Sequence, residues 1–282
     1  METIIIDGKK MALQIQEKLK NEIQSLERKP KLAVILVGDN PASLIYVGNK
    51  KKIGENIGVD TEVFQLSPVM TEDALISFIE ELNQNKSIDG ILVQLPLPPH
   101  FNENKVLESL DPNKDVDGLH PQNLGNLFIS TTDFKPCTPL ACIELIKSVI
   151  PNLEGKTALI IGRSRLVGKP LAQMLMAENC TVIQAHSKTK NMDEVCGIAD
   201  IVVAATGKPN LIQSSFIKKG AVLIDVGITR LDNKKITGDI DFESMLGIAG
   251  AITPVPGGVG PMTVTMLYVN LLNSYKKTLQ NL

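Results

Sequence analysis

Tyr46 and Lys50 stand four residues apart in a stretch that reads as helix, so ring and amine share one face. An aromatic ring beside a lysine can hold a flat substrate and set an amine against it. Farther along, Gln94 lies within Val93-Gln94-Leu95-Pro96-Leu97-Pro98, and Asp117 within Lys114-Asp115-Val116-Asp117-Gly118. Each has an ordinary explanation when taken alone. Tyr/Lys pairs decorate helix surfaces, a single Gln can be a buried amide satisfied by main chain, and an Asp before Gly can cap a turn. A different chemistry is suggested by Gly162-Arg163-Ser164-Arg165-Leu166-Val167-Gly168-Lys169-Pro170. Glycines in such a turn let main chain approach a pyrophosphate, whose charge is met by the N-terminus of the helix that follows.

The elements that must position these residues alternate between short β-rich runs and helical patterns, the signature of parallel α/β layers. After an opening strand at Ile4–Ile6, residues 9–27 repeat apolar side chains at helical intervals. Leu32–Gly38 reads as a buried strand, and a helix over Ser43–Asn56 is closed by Gly58 as its C′ glycine. Glu62–Leu66 reads as a strand, Thr71 caps a helix that runs to Leu82, and the strand from Gly90 ends at the prolines. Past the irregular polar stretch 111–118, a helix over Thr138–Ile150 leads to strands at Thr157–Ile161, Thr181–Ala185, Ile201–Ala205, Val222–Val226 and Gly250–Thr253. The loop Thr253–Pro261 precedes a last helix from about Met262 to Leu279. The expected fold is α/β with two domains and a cleft between them. Residues 1–138 form the N-terminal α/β substrate domain, completed by the C-terminal helix 256–282, and residues 139–255 form a Rossmann-type dinucleotide-binding domain.

In the glycine loop, Ser164 replaces the second glycine of the usual dinucleotide fingerprint and Gly168 falls one place late. Pro170 suits the first turn of the following helix, where its missing N–H costs nothing. The next strand ends at His186-Ser187-Lys188-Thr189, with no acid to grip a ribose 2′-hydroxyl. Ser187 with Arg163 or Lys188 can instead accept a 2′-phosphate, which favours NADP. The turns Ala205–Pro209 and Asp225–Ile228 supply further main chain on the same edge of the sheet, Ile228 among the cofactor-binding candidates.

Composition narrows the classes. A formal charge of -2, with Lys50-Lys51-Lys52 as the one dense basic run, argues against a nucleic-acid partner. Four irregularly spaced cysteines form neither a disulfide framework nor a CxxC metal site, so no metal is expected. No apolar run approaches the ~18 residues of a membrane span. The start of the chain lacks the pattern of a signal peptide, and the expectation is a soluble cytoplasmic protein with no membrane partner.

Taken together, Tyr46–Lys50, Val93–Pro98, Lys114–Gly118, Pro136-Cys137-Thr138-Pro139, Gly162–Ser164 and Thr253–Pro261 resemble, in one colinear order, the bifunctional methylenetetrahydrofolate dehydrogenase/methenyltetrahydrofolate cyclohydrolase family. That resemblance implies an oxidoreductase and hydrolase of one-carbon metabolism feeding purine biosynthesis. NADP accepts a hydride from 5,10-methylenetetrahydrofolate, and water opens the methenyl cation to 10-formyltetrahydrofolate. It further implies that Lys50 is the catalytic lysine, Gln94 its hydrogen-bonding partner, Asp117 the pterin anchor and Tyr46 the ring against the aminobenzoyl group. Pro256, Gly257 and Gly258 become a substrate loop, and the assembly a homodimer built through the dinucleotide domains.

Elementary chemistry agrees. A lysine with a reference pKa of about 10.4 is a poor base at neutral pH, but burial and a cationic intermediate both disfavour the ammonium. Gln94 can orient the amine without raising its pKa as a carboxylate would. An ionised Asp117 is acceptor-only and suits the adjacent N–H donors of a pterin. Two other classes stay open: a two-domain dehydrogenase of the amino-acid or shikimate type, and a non-catalytic protein that senses NADP.

Overall fold

Parallel strands joined by crossover helices make up both units of the chain in the computed structural model, which describes residues 2–231 and 236–280. Gln14–Cys137 and Leu267–Leu282 form one unit; Met1–Leu13 and Thr138–Met266 form the other.

The first of these holds a three-stranded parallel sheet in the order Asp60–Leu66, Lys31–Val37, Gly90–Val93. Its central strand reads KLAVILV and is buried from Leu32 onward, as a parallel strand covered on both faces must be. The helix Pro41–Ile57 starts two residues ahead of expectation. The Asn40 side chain accepts from Ala42 N–H and Ser43 N–H, and Pro41 fills the first helical position. Gly58, at φ 93°, closes the helix as expected, and Thr71 caps Glu72–Gln84. Ile35, Leu75, Ile79, Ile91 and Val106 lie at the centre of this core, fully shielded from solvent.

A buried carboxylate ties the near ends of these strands together. Asp89 accepts from both terminal nitrogens of Arg28 at 2.7 Å and from Lys31 N–H at 2.7 Å. Arg28 in turn lies over the Tyr275 ring, 4.7 Å from its centroid.

The second unit is a six-stranded sheet in the order Ile4–Ile5, Ala251–Ile252, Val222–Asp225, Ile201–Ala204, Thr157–Ile161, Thr181–Ala185, parallel throughout. The chain leaves Thr157–Ile161 for the edge strand Thr181–Ala185 and then returns to pair on the other side. Such a reversal opens a crevice at the carboxyl ends of the strands, where ligands of doubly wound sheets bind. Leu159, Val202, Leu223 and Ile252 form its fully buried centre.

Several boundaries differ from expectation. The opening strand belongs to the six-stranded sheet, because Ile4 and Ile5 pair in parallel with Ala251 and Ile252. The last helix begins at Val259, three residues early, since Gly260 and Pro261 occupy a first turn that needs no N–H from proline. Helices at Glu103–Glu108 and Pro121–Phe128, too short for a periodic signal, were not expected. Among the described residues no helix is long and apolar enough to cross a membrane.

Replacing Asp89 with Ala leaves Lys31 N–H and the Arg28 fork without their acceptor, and it is expected to cost about 2 kcal/mol of stability. Denaturant melts read by far-UV circular dichroism check this; an unchanged midpoint would remove Asp89 as the anchor.

Candidate active site

The helix Pro41–Ile57 carries Tyr46 and Lys50, with the Tyr46 ring 42% exposed. Lys50 Nζ donates to Gln94 Oε1 at 2.7 Å. The Gln94 amide nitrogen donates to the Leu95 carbonyl at 2.5 Å, so the side chain is held with its oxygen toward the lysine. Gln94 directly follows the strand Gly90–Val93. Asp115 forms a parallel bridge with Ile91, which brings Asp117 level with the carboxyl end of that same strand.

Lys50 is held low on the lysine scale. Burial disfavours its ammonium, while Asp117 and the Cys137 thiol group oppose the shift. Burial pushes Asp117 above the usual carboxylate range, and Lys50 and Cys137 pull it back. Cys137, with its sulfur 3.3 Å from the Val116 carbonyl, has its thiol pushed well up by burial and by the Asp117 charge. It is a protonated donor beside the carboxylate and no nucleophile.

The neighbours of Asp117 in sequence are scaffolding. Lys114 Nζ donates to the carbonyls of Leu82, Asn83 and Asn85 and so closes the helix Glu72–Gln84. Asp115, pushed up to about 6 by burial, accepts from Gly118 N–H, His120 N–H and the Asn123 amide at 3.1, 2.7 and 3.0 Å. Gly118 has φ 70° and its back against Lys135 and Pro136, leaving no room for a Cβ.

In the six-stranded unit, Gly162 follows Thr157–Ile161 at φ 142°, and a Cβ there would press on the Ala205 carbonyl. Gly168 is equally tight against the Gly162 carbonyl, at the start of the helix Gly168–Ala177. Both glycines are therefore steric requirements of a main-chain cradle at the strand reversal, which fits a dinucleotide pyrophosphate. Ser164 Oγ accepts from Val167 N–H at 3.1 Å and shapes the loop, while Arg163 is exposed. The turn after the neighbouring strand closes on itself, His186 N–H to Thr189 Oγ1 at 2.9 Å and Lys188 N–H to His186 Nδ1 at 3.1 Å. That leaves Ser187 and Lys188 exposed on the same sheet edge as Arg163.

Two buried carboxylates, which sequence reading did not single out, tie the next strand ends. Asp225 accepts from Gly227, Asp239 and Ile240 N–H groups at 2.8–2.9 Å, and burial pushes it up to about 6. Asp239 accepts from Thr206 N–H and Oγ1 and from Gly207 N–H. Ile228, at the end of this construction, is 52% exposed. In the glycine-proline loop, Pro256 follows a cis peptide bond and Gly257 has φ 109°, with the Pro254 ring at ordinary contact distance from where a Cβ would lie. Gly258 is packed against Pro254 and Thr253, and Gly8 packs on Gly258, so this glycine serves packing as well.

A parallel sheet with a glycine cradle at its reversal, in a chain that also carries a desolvated lysine on an amide beside a carboxylate, defines a nicotinamide-nucleotide-dependent α/β enzyme. Residues 6–117 match the tetrahydrofolate dehydrogenase/cyclohydrolase catalytic domain, and residues 136–279 match the NAD(P)-binding domain of the same family. Bifunctional protein FolD of Listeria innocua is 52% identical over 276 residues, 97% of each chain. The crystal structure of the bifunctional FolD dehydrogenase/cyclohydrolase of Campylobacter jejuni superposes with a TM-score of 0.96 at 45% identity, covering 98% of this chain and 99% of that one. The Trypanosoma brucei FolD structure, complexed with NADP cofactor and inhibitor, gives 0.95 at 37% identity over 99% of both chains. The chain belongs to the tetrahydrofolate dehydrogenase/cyclohydrolase family.

Alanine at position 162 must adopt φ 142° and meet the Ala205 carbonyl. A strain of about 1–3 kcal/mol predicts nucleotide affinity reduced about tenfold or more. Fluorescence titration of NADP into Gly162→Ala measures it; wild-type affinity would move the pyrophosphate elsewhere.

Proposed function

We propose that this chain oxidises 5,10-methylenetetrahydrofolate with NADP and hydrolyses the resulting 5,10-methenyl cation to 10-formyltetrahydrofolate. The observation that carries the reading is the 2.7 Å hydrogen bond from Lys50 Nζ to Gln94 Oε1 beside Asp117, within the segment matching the family's catalytic domain. NADP, when bound, supplies a hydride acceptor. Gly162, Arg163 and Ser164 cradle its pyrophosphate, Ser187 with Arg163 or Lys188 receives the 2′-phosphate, and Ile228 offers apolar surface to the nucleotide.

The remaining chemistry falls to this chain's own groups. The neutral Lys50 amine gives one N–H to Gln94 and keeps a lone pair for a proton of the attacking water. The proton leaves water as oxygen bonds to the methenyl carbon. One carbon–nitrogen bond of the hydroxyl adduct then breaks, its electron pair staying on the departing nitrogen. That nitrogen takes up a proton as the hydroxyl loses its own, and the formyl group remains on the other nitrogen. Gln94 fixes the amine without contributing charge, so this contact does not oppose the downward shift that burial imposes. Asp117 accepts from the N–H donors at the pterin end, and the exposed Tyr46 ring stacks on the aminobenzoyl group. The family resemblance gives Pro256, Gly257 and Gly258 the role of a substrate loop. The family resemblance extends the same reading to a homodimer in the cytoplasm that supplies one-carbon units for purine synthesis. The burial of all four cysteines as free thiols accords with a reducing compartment.

Purified protein is expected to reduce NADP in the presence of methylenetetrahydrofolate and to consume methenyltetrahydrofolate without nucleotide; folded protein giving neither signal sinks the proposal. Lys50→Ala should slow hydrolysis by about a hundredfold or more and leave NADP affinity unchanged. Because burial lowers the Lys50 pKa, the base form gains as pH rises. Hydrolysis should therefore climb with pH through a midpoint below that of ordinary lysine and then level off. A profile flat through that range, measured with methenyltetrahydrofolate, would take the proton from another group.

A further inference from the structure

We infer that the last helix sets the spacing between the two ends of the folate site, with Tyr268 and Asn270 as positioning residues that act through Lys50 and Asp117. This rests on the roles given to those two groups under the proposed function. Tyr268 is 1% exposed, and its hydroxyl donates to the Lys50 carbonyl at 2.5 Å. The same hydroxyl lies against Gly54, one turn farther along the helix Pro41–Ile57. Gly54 leaves the space for it, since a Cβ there would lie 2.9 Å from the Tyr268 oxygen and press on Thr61 Oγ1. The phenol thus grips the helical turn from which the Lys50 side chain departs. It fixes where along that helix, and how far from Gln94, the amine begins.

Asn270, also 1% exposed, grips the other end. Its amide nitrogen donates one hydrogen to the Val116 carbonyl and one to the Lys135 carbonyl, both at 2.9 Å, and lies 3.6 Å from Cys137 Sγ. These two carbonyls belong to the strands of chain on either side of the Asp117 carboxyl. Val116 precedes it, and Lys135 leads to the Cys137 thiol that interacts with it. One turn on, on the same helical face, the single Ser274 hydroxyl proton is shared between the Asn113 carbonyl at 2.6 Å and the Asp89 carbonyl at 2.5 Å. An apolar side chain would fill the space at 270 as well, yet it would supply neither of the two donors that these carbonyls receive. One helix therefore holds the lysine by a phenol and the carboxylate turn by an amide. The distance between base and pterin anchor is set by the rigid spacing of Tyr268 and Asn270, two positions apart on it.

The test uses the full chain as Tyr268→Phe, Asn270→Leu and the milder Asn270→Ser, with Lys50→Ala and Asp117→Ala as references. Both reactions are followed across pH, alongside NADP affinity and thermal midpoint. Tyr268→Phe is expected to lower kcat for hydrolysis about tenfold and to displace its pH midpoint, with KM nearly unchanged. Asn270→Leu is expected to raise KM for folate about tenfold in both reactions with little change in kcat. If the leucine variant does not fold, Asn270→Ser carries the same KM expectation. NADP affinity should stay at the wild-type value in all three variants. Lower melting with wild-type kcat, KM and pH midpoint overturns the inference, since a purely structural role predicts that pattern. Full activity in Lys50→Ala or Asp117→Ala instead overturns the role assignments, and the positioning claim falls with them.

Discussion

A lysine amine can accept a proton near neutrality only where its ammonium is poorly solvated and no carboxylate compensates fully for the lost water. Under the proposed function, that constraint bears on the unit around Lys50. The partner at hydrogen-bonding distance is the uncharged Gln94, whose own nitrogen is committed to the Leu95 carbonyl. The carboxylate nearby, Asp117, is itself shifted upward by burial and shares its charge with a protonated thiol. The two groups consequently moderate each other without collapsing into a simple ion pair. Holding that balance requires a rigid frame. It comes from a helix docked without a side chain at Gly54 and from a turn locked by Asp115 and Gly118.

The nucleotide unit answers a different demand, close approach of main chain to a charged ligand. Gly162 and Gly168 are squeezed against neighbouring carbonyls, so the cradle is already formed by packing before any ligand arrives. The two carboxylates behind the neighbouring loops, Asp225 and Asp239, accept backbone N–H groups from several strand ends at once. The loops that follow these strands are thereby pinned to one another at several points.

Much of this was legible in the amino-acid sequence. Strands of buried branched residues such as Lys31–Val37 announce themselves by composition, and helix limits by Thr71 and Gly58. The spacing of Tyr46 and Lys50 placed ring and amine on one helical face, and the six motifs together pointed to the family that comparison establishes. What could not be read were partnerships between residues far apart in the chain. Asp89 and Arg28, Tyr268 and Lys50, Asn270 and Val116 carry no local signal, because each is an ordinary residue until folding supplies its partner. The placement of the opening strand was hidden for the same reason. A two-residue strand has too little pattern to declare its sheet.

That opening strand has a consequence in time. Ile4 and Ile5 complete a sheet whose neighbouring strand, Ala251–Ile252, is synthesised some 245 residues later, and Thr3 Oγ1 bonds the Ala249 carbonyl across the same span. During synthesis, Ile4 and Ile5 must wait for Ala251 and Ile252 before they can pair. The intervening residues close a very long loop when the pairing is made, and pairings of this kind come late in assembly. Occupancy of this strand is therefore a molecular signature that Ala251–Ile252 are in place: a product lacking them would leave Ile4 and Ile5 unpaired and one edge of Val222–Asp225 bare.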